Sequence, residues 1–348
     1  MNLKATGFLV VLAIAVGVFV IINPFEEPEE VRTRDPWFYQ VEMDDITNIE
    51  VNHLTDSVSF EKDEVGIWAF TDPKGIPPSN RRWGGITLLL SGPQTRRDLT
   101  ATRTIIEDPA EYGLDDPDTI VNLGLTGDRS LQFRLGDTTT NGEQHYGEIP
   151  GFPYLFLIAR SWGDVLTRLA VEPPIPIWFI KRDPASIVEL NIFDGDPTVE
   201  ATPAVRFKIE DGVWTARDFD DDIGRLPVDD EVWESITPLL GGPPSISVSV
   251  SLVDDRDYTP WGIKDDSQSI EIRFSGMSDN GITYIDGMLL RIGKKTPDGK
   301  SYYAKSISSL IREPVLVLDA PWVDAILGIA DDIPYSKEAL AEVTKPSG

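Results

Sequence analysis

Cysteine is absent from the 348 residues, and histidine occurs only twice, as His53 and His145. Without a thiol there is no disulfide, no thiolate nucleophile, no cysteine-ligated zinc, no iron–sulfur cluster and no lipid-modified N-terminal cysteine. Two histidines leave histidine-based zinc sites and Ser-His-Asp chemistry short of parts. Basic residues are scarce: 31 against 58 acids, a net charge of −27. A surface this negative repels phosphate backbones and anionic lipid heads, so nucleic acid is not an expected partner. No Gly-x-Ser-x-Gly elbow, phosphate loop or dinucleotide glycine run occurs. Hydrophobic residues make up 41% of the chain, and its length suits two domains, so a packed core is expected.

The one long hydrophobic run is Ala5–Phe25, 21 residues without a charge. As a helix rising ~1.5 Å per residue it reaches about 31 Å, close to the thickness of a bilayer core. Lys4 precedes it, and Glu26, Glu27, Glu29 and Glu30 follow. This asymmetry predicts a single transmembrane anchor over residues 1–25, with the N-terminus cytoplasmic and the rest of the chain extracytoplasmic. A cleaved signal peptide is the competing reading, but the far end, Ile21-Ile22-Asn23-Pro24, lacks a small-x-small site. Residues 26–34 read as an acidic stalk.

Beyond the stalk the chain repeats itself. Trp37-Phe38-Tyr39 recurs as Trp178-Phe179-Ile180, and Ile46–Val51 as Ile187–Ile192. Gly66-Ile67-Trp68 recurs as Gly212-Val213-Trp214, and Leu88–Pro93 as Pro238–Pro243. Asp108–Asp115 answers to Asp257–Lys264, Leu135-Gly136 to Ile292-Gly293, and His145-Tyr146 to Tyr302-Tyr303. Leu155–Leu157 is matched with Leu316–Leu318, and Trp162–Leu166 with Trp322–Ile326. The order never breaks and the offset climbs from 141 at the first match to 160 at the last, as insertions in a second copy would produce. Two α+β repeats are expected, over residues 35–170 and 176–330, with a fraying tail at 331–348.

Each repeat reads as a short apolar strand, a second strand, a hairpin, a helix, further strands and a closing amphipathic helix. The Glu210-Asp211-Gly212 turn is a strong hairpin signal. A helix is expected from near Asp229, with Val232, Trp233, Ile236, Leu239 and Leu240 on one face, stopping at Gly241-Gly242-Pro243. Strands are expected at Ile120–Leu125, Leu131–Leu135, Gln144–Glu148 and Tyr154–Ile158, and a helix at Ser161–Leu169. Alternation in Leu131–Leu135 and Ile270–Phe274 gives those strands one wet face. The fold class is therefore α+β: a tandem duplication of an antiparallel-rich sheet with helices on one face, preceded by one transmembrane helix. The apolar segment Pro173–Ile180 is too greasy for a solvated linker. Its second half is expected to be the first strand of the second copy, and the copies are expected to pack together.

Few residues point to chemistry. Asp218, Asp220, Asp221 and Asp222, with Asp229 twelfth in line, suggest a calcium loop, but Ile223 stands where such a loop needs glycine. An acidic turn is the plainer reading, as it is for Asp194/Asp196 and for Asp254–Asp257. Tryptophans and acids invite a glycan hydrolase, yet Trp68/Trp214 and Trp162/Trp322 recur at matched positions, as core residues do. His145 is matched by Tyr302 and reads as a strand-face residue. Tyr112-Gly113-Leu114-Asp115-Asp116-Pro117 reads as a structural turn whose tyrosine and leucine plug the core. No catalytic residue, cofactor or metal ligand is assigned.

Tyr-Gly-Leu-Asp-x-Pro at Tyr112–Pro117 and Leu-Gly-Asp at 135–137, with Trp68, Leu88–Leu90 and the Trp162 helix at fitting spacings, resemble the bacterial domain-of-unknown-function 4340 family. The resemblance covers nearly all of the chain beyond the stalk. The second copy departs from it: Lys264 replaces the acid, and Lys294 follows Gly293. The resemblance implies an envelope protein that accompanies ABC-type export permeases or gliding-motility-like complexes. The expected function is a membrane-tethered, non-enzymatic accessory protein with protein partners. Two alternatives stay open: an envelope glycan hydrolase using an Asp/Glu pair, and a calcium- or glycan-binding module.

Overall fold

The computed structural model describes residues 38–93, 95–97, 104–199, 202–253, 255–278, 280–307 and 313–344. The expected anchor and stalk lie outside these residues. No helix among the described residues is long and apolar enough to cross a membrane.

The chain forms two antiparallel sheets with few helices. The first holds β1 (Ile46–His53), β2 (Asp56–Lys62), β3 (Trp68–Phe70), β4 (Thr95–Arg97), β5 (Thr119–Leu125), β6 (Arg129–Thr138), β7 (Gln144–Glu148) and β8 (Phe156–Ala159). Their order is β3-β2-β1-β5-β6-β7-β8-β4. The second holds β9 (Ile187–Phe193), β10 (Val205–Glu210), β11 (Val213–Asp218), β12 (Arg225–Pro227), β13 (Ile246–Val250), β14 (Ser269–Met277), β15 (Thr283–Lys295), β16 (Ser301–Ser306) and β17 (Val315–Asp319). Its order is β12-β11-β10-β9-β14-β15-β16-β17-β13. With β12 set aside, the two orders are the same. Between the third and fourth strands of the first sheet lie helices α1 (Asn80–Trp83) and α2 (Ile86–Ser91). The corresponding place in the second holds α4 (Asp230–Ile236) and a 3-10 turn, Thr237–Gly241. Helices α3 (Arg160–Val171) and α5 (Ala320–Asp331) follow the last strand of each sheet.

Local sequence explains these elements. Asp211 and Gly212 take positive φ, 51° and 83°, as a two-residue hairpin turn requires. Asp229 caps α4 by accepting from the Val232 amide. The expected single helix ending at Gly241 is instead α-helix followed by 3-10 turn, because Pro238 brings no amide hydrogen to the ladder. One hydrophobic cluster runs through both halves, including Phe60, Leu90 and Leu166 in the first and Phe207, Leu240 and Ile326 in the second. Ile175, Ile177 and Phe179 of the connecting segment pack against it.

Three expectations are corrected. Residues 38–39 and 177–180 form no strand. Their neighbours bond instead to the ends of the helical segments, Val41 N to Ser91 O and Arg182 N to Gly241 O, and Pro173, Pro174 and Pro176 deprive the approach to Trp178 of donors. The match of Leu155 with Leu316 slips by one residue. Tyr146 pairs with Leu157 and Tyr303 with Val317, so Leu155 answers to Val315. A one-residue slip in a strand exchanges the two faces, and the register removes that conflict. The tail is held as far as Thr344: Tyr335 bridges Val228, Ser336 N bonds to Pro227 O, and α6 (Lys337–Val343) follows. It covers the short edge strand β12, which would otherwise present unpaired backbone.

Candidate functional site

The acidic turns are satisfied internally. Asp218 accepts from the Asp220 amide and Asp221 from Ile223, each closing an Asx turn. Asp255 accepts from Asp257, and Asp257 from Thr259. Asp194 takes the Gln268 amide, while Asp196 faces Arg291. Among the described residues no group of three or more His, Asp or Glu side chains is placed to hold a metal ion.

The Tyr-Gly-Leu turn is architectural in both halves. Gly113 and Gly262 adopt φ of 63° and 71°. Leu114 seals a small cluster with Leu155, Leu157, Tyr112 and Tyr146, and Ile263 seals its counterpart with Val315, Trp261 and Tyr303. Asp115 and Lys264 are both exposed, which is why charge at that place is free to differ. The tryptophans also correspond. Trp162 Nε1 donates to Leu89 O (3.2 Å) and Trp322 Nε1 to Leu239 O (2.8 Å). Trp68 lies 5.7 Å from Trp83, and Trp214 lies 4.9 Å from Trp233. His53 Nδ1 meets Thr119 Oγ1 on the rim of β5, whereas His145 on β7 is packed against Gly163 of α3, its Nε2 buried without a partner. The two histidines occupy different strands and share no partner.

Sequence reasoning missed a concavity. A cleft of about 1070 Å³ opens between the halves. Trp68, Trp83, Arg81 and Arg82 contribute from the first half, Ile177 and Arg182 from the connection. Ser251 and Leu252 beyond β13, Asp286 of β15 and Glu313 before β17 contribute from the second. Arg82 is a clamp: Nη1 donates to Pro173 O (3.2 Å) and Nη2 to Glu172 O (2.5 Å), fixing the connection. Ser79 N adds a bond to Pro174 O at 2.7 Å. Arg182 lies 4.0 Å over the Phe274 ring, with Nε buried and unpaired. Arg81 is exposed and makes no hydrogen bond or ion pair among the described residues. Of the two lining acids, Asp286 accepts from Gly287 N, and Glu313 meets Tyr258 through its main chain. Three arginines to two acids inverts the balance of the whole chain. The signal was present in sequence as adjacent basic pairs, Arg81-Arg82 and Lys181-Arg182, in an acid-rich chain.

Among the described residues, every carboxylate with a shifted titration is shifted downward: Asp45, Asp196, Glu210, Asp257, Asp298 and Asp324. Hydroxyl, amide or cation partners hold these six in the ionised form, the opposite of what a general acid needs. None of the six lines the cleft, whose described lining offers aromatic faces and guanidinium donors.

Comparison with protein-family models, curated proteins and solved structures gives no match.

Proposed function

We propose that the chain is a membrane-tethered, extracytoplasmic accessory protein whose task is to hold a protein partner in the cleft between its two halves. The anchor rests on the uncharged run Ala5–Phe25 and the acids that follow it. The resemblance of Tyr112–Pro117 to the domain-of-unknown-function 4340 family supports placing it beside an ABC-type export or gliding-motility-like complex. The common strand order of the two sheets and their matched tryptophans support two copies of one unit. The observation that carries the reading is the cleft itself: open, aromatic and arginine-lined, at a junction between two sheets, where binding sites concentrate.

The absence of cysteine makes a clean test available. Ser251→Cys places a single thiol in the cleft, and Ser130→Cys places one at an exposed position of β6 outside the cleft lining. Each is loaded with a photo-crosslinker in native membranes. A discrete protein adduct from position 251 and none from 130 is expected; no adduct from 251 overturns the reading. N-terminal sequencing of the membrane fraction tests the anchor, which a mature chain beginning after Pro24 would exclude.

A further inference from the structure

The two sheets have four outer strands. Three of them, β3, β4 and β12, are three residues long, and β12 is also covered by the tail. Short or covered edges are how proteins avoid unwanted strand pairing. The fourth, β13, is different. It is Ile246-Ser247-Val248-Ser249-Val250, five residues without charge or proline. It pairs only with β17, and no backbone group of it bonds elsewhere among the described residues. Ile246, Val248 and Val250 pack inward, and Ser247 and Ser249 are exposed. Its only irregularity is a register shift between Val248 and Val250. In a chain that protects every other edge, this one is left able to accept a strand.

The edge leads into the cleft. Ser251 and Leu252, the next two residues, line it. There Arg81 stands without a counter-ion and Arg182 keeps a buried, unpaired Nε. We propose, resting on the docking reading above, that the partner's binding element is an extended acidic protein segment. It adds as a strand to the free edge of β13 and sets carboxylates against Arg81 and Arg182. Main-chain hydrogen bonds to an open sheet edge supply affinity in such recognition, and side chains at alternate positions supply selectivity. Arginine favours carboxylate through paired, charge-assisted donors. The same acids would be repelled by most of a surface carrying a net −27, so the charge that excludes other sites directs the segment here.

The test uses the full chain in detergent and a fluorescent ten-residue peptide alternating valine and glutamate, read by anisotropy. Saturable binding is expected, weakened about tenfold or more by Arg81→Glu, as loss of one charge-assisted contact and gain of a repulsion should produce. Arg81 has no partner to lose, so this variant keeps its fold, and circular dichroism checks it. The same peptide N-methylated at every amide keeps its charges but has no main-chain donor on either edge, and it is expected not to bind. Equal binding of the methylated peptide overturns strand addition. Unchanged binding to Arg81→Glu overturns the carboxylate contact. Tighter binding of polygalacturonate than of the peptide overturns the peptide in favour of an acidic glycan. If the Ser251→Cys adduct persists in the presence of saturating peptide, the docking reading stands and this inference falls. If no adduct forms at all, the docking reading itself has failed.

Discussion

Gly136 and Gly293 occupy points where two stretches of backbone touch. A Cβ on Gly136 would run into the carbonyl oxygen of Tyr112, and one on Gly293 into that of Trp261. Neither carbonyl can move cheaply, because each belongs to a turn locked by a positive-φ glycine. Gly136→Ala and Gly293→Ala should therefore each cost about 1–3 kcal/mol or more, by the mechanism of an overpacked core. Denaturant midpoints measure this, and a change under ~0.5 kcal/mol at either site would contradict the close approach. Asp196 supplies a second residue-scale expectation. Burial pushes its carboxyl up, but hydrogen bonds from Thr198 and Arg291 outweigh that and hold it at about 2, below the ordinary 3.8. A depressed folded-state value means the stabilisation is present in full above the unfolded value and disappears as pH falls from about 4 toward 2. Asp196→Asn also strands Arg291, whose side chain is only 5% exposed and whose other carboxylate, Asp265, sits in solvent. The variant should be markedly less stable than the parent at neutral pH, and the gap should close between pH 4 and pH 2. A gap that stays constant across that range would show that Asp196 is not the group responsible.

At the scale of elements, legibility followed the physics of each signal. The Asp211-Gly212 hairpin and the Asp229 cap were readable because both depend on one or two residues with special backbone or hydrogen-bonding capacity. The strand expected at Trp178–Ile180 was not there, because an apolar run states only that side chains are buried, not which backbone they meet. Trp178 is buried, but in a turn segment whose next backbone bond outward runs from Arg182 N to Gly241 O at the end of a helical segment. The Leu155 slip has the same origin: Leu-Phe-Leu matches Leu-Val-Leu in residue type, and only strand pairing fixes the face. The cleft was missed for a further reason: its lining is spread over residues 66–314, and the basic pairs Arg81-Arg82 and Lys181-Arg182 do not by themselves say that they meet. The tail gives the element-scale expectation. Truncation after Ile333 removes the Tyr335 bridge, the Tyr335 hydroxyl contact to the Asp218 amide and α6. It should lower stability by about 1–2 kcal/mol and expose β12 to self-association. Thermal melting with light scattering reads both, and an unchanged melt with no scattering would contradict the covering role.

At the scale of the whole molecule, the question is whether the halves unfold apart. Two sheets of like topology with separate cores would melt as two units. Here one hydrophobic cluster passes through both, joined by Ile175, Ile177 and Phe179, so unfolding either half exposes apolar surface of the other. The connection is also pinned to the first half at three backbone carbonyls, those of Glu172, Pro173 and Pro174. Opposing this, the cleft leaves part of the junction wet, and wet junctions couple weakly. Burial scales with area while the clamp is a few hydrogen bonds worth ~1–3 kcal/mol each, so the shared core should dominate. Calorimetry is expected to give one transition with calorimetric and van't Hoff enthalpies in agreement. A ratio near two, the signature of halves melting independently, would refute the coupling. Arg82→Ala removes the clamp and leaves the core, so it should lower the transition temperature without splitting the peak. If that variant alone splits into two transitions, then the clamp, and not the shared core, is what makes the two sheets one folding unit.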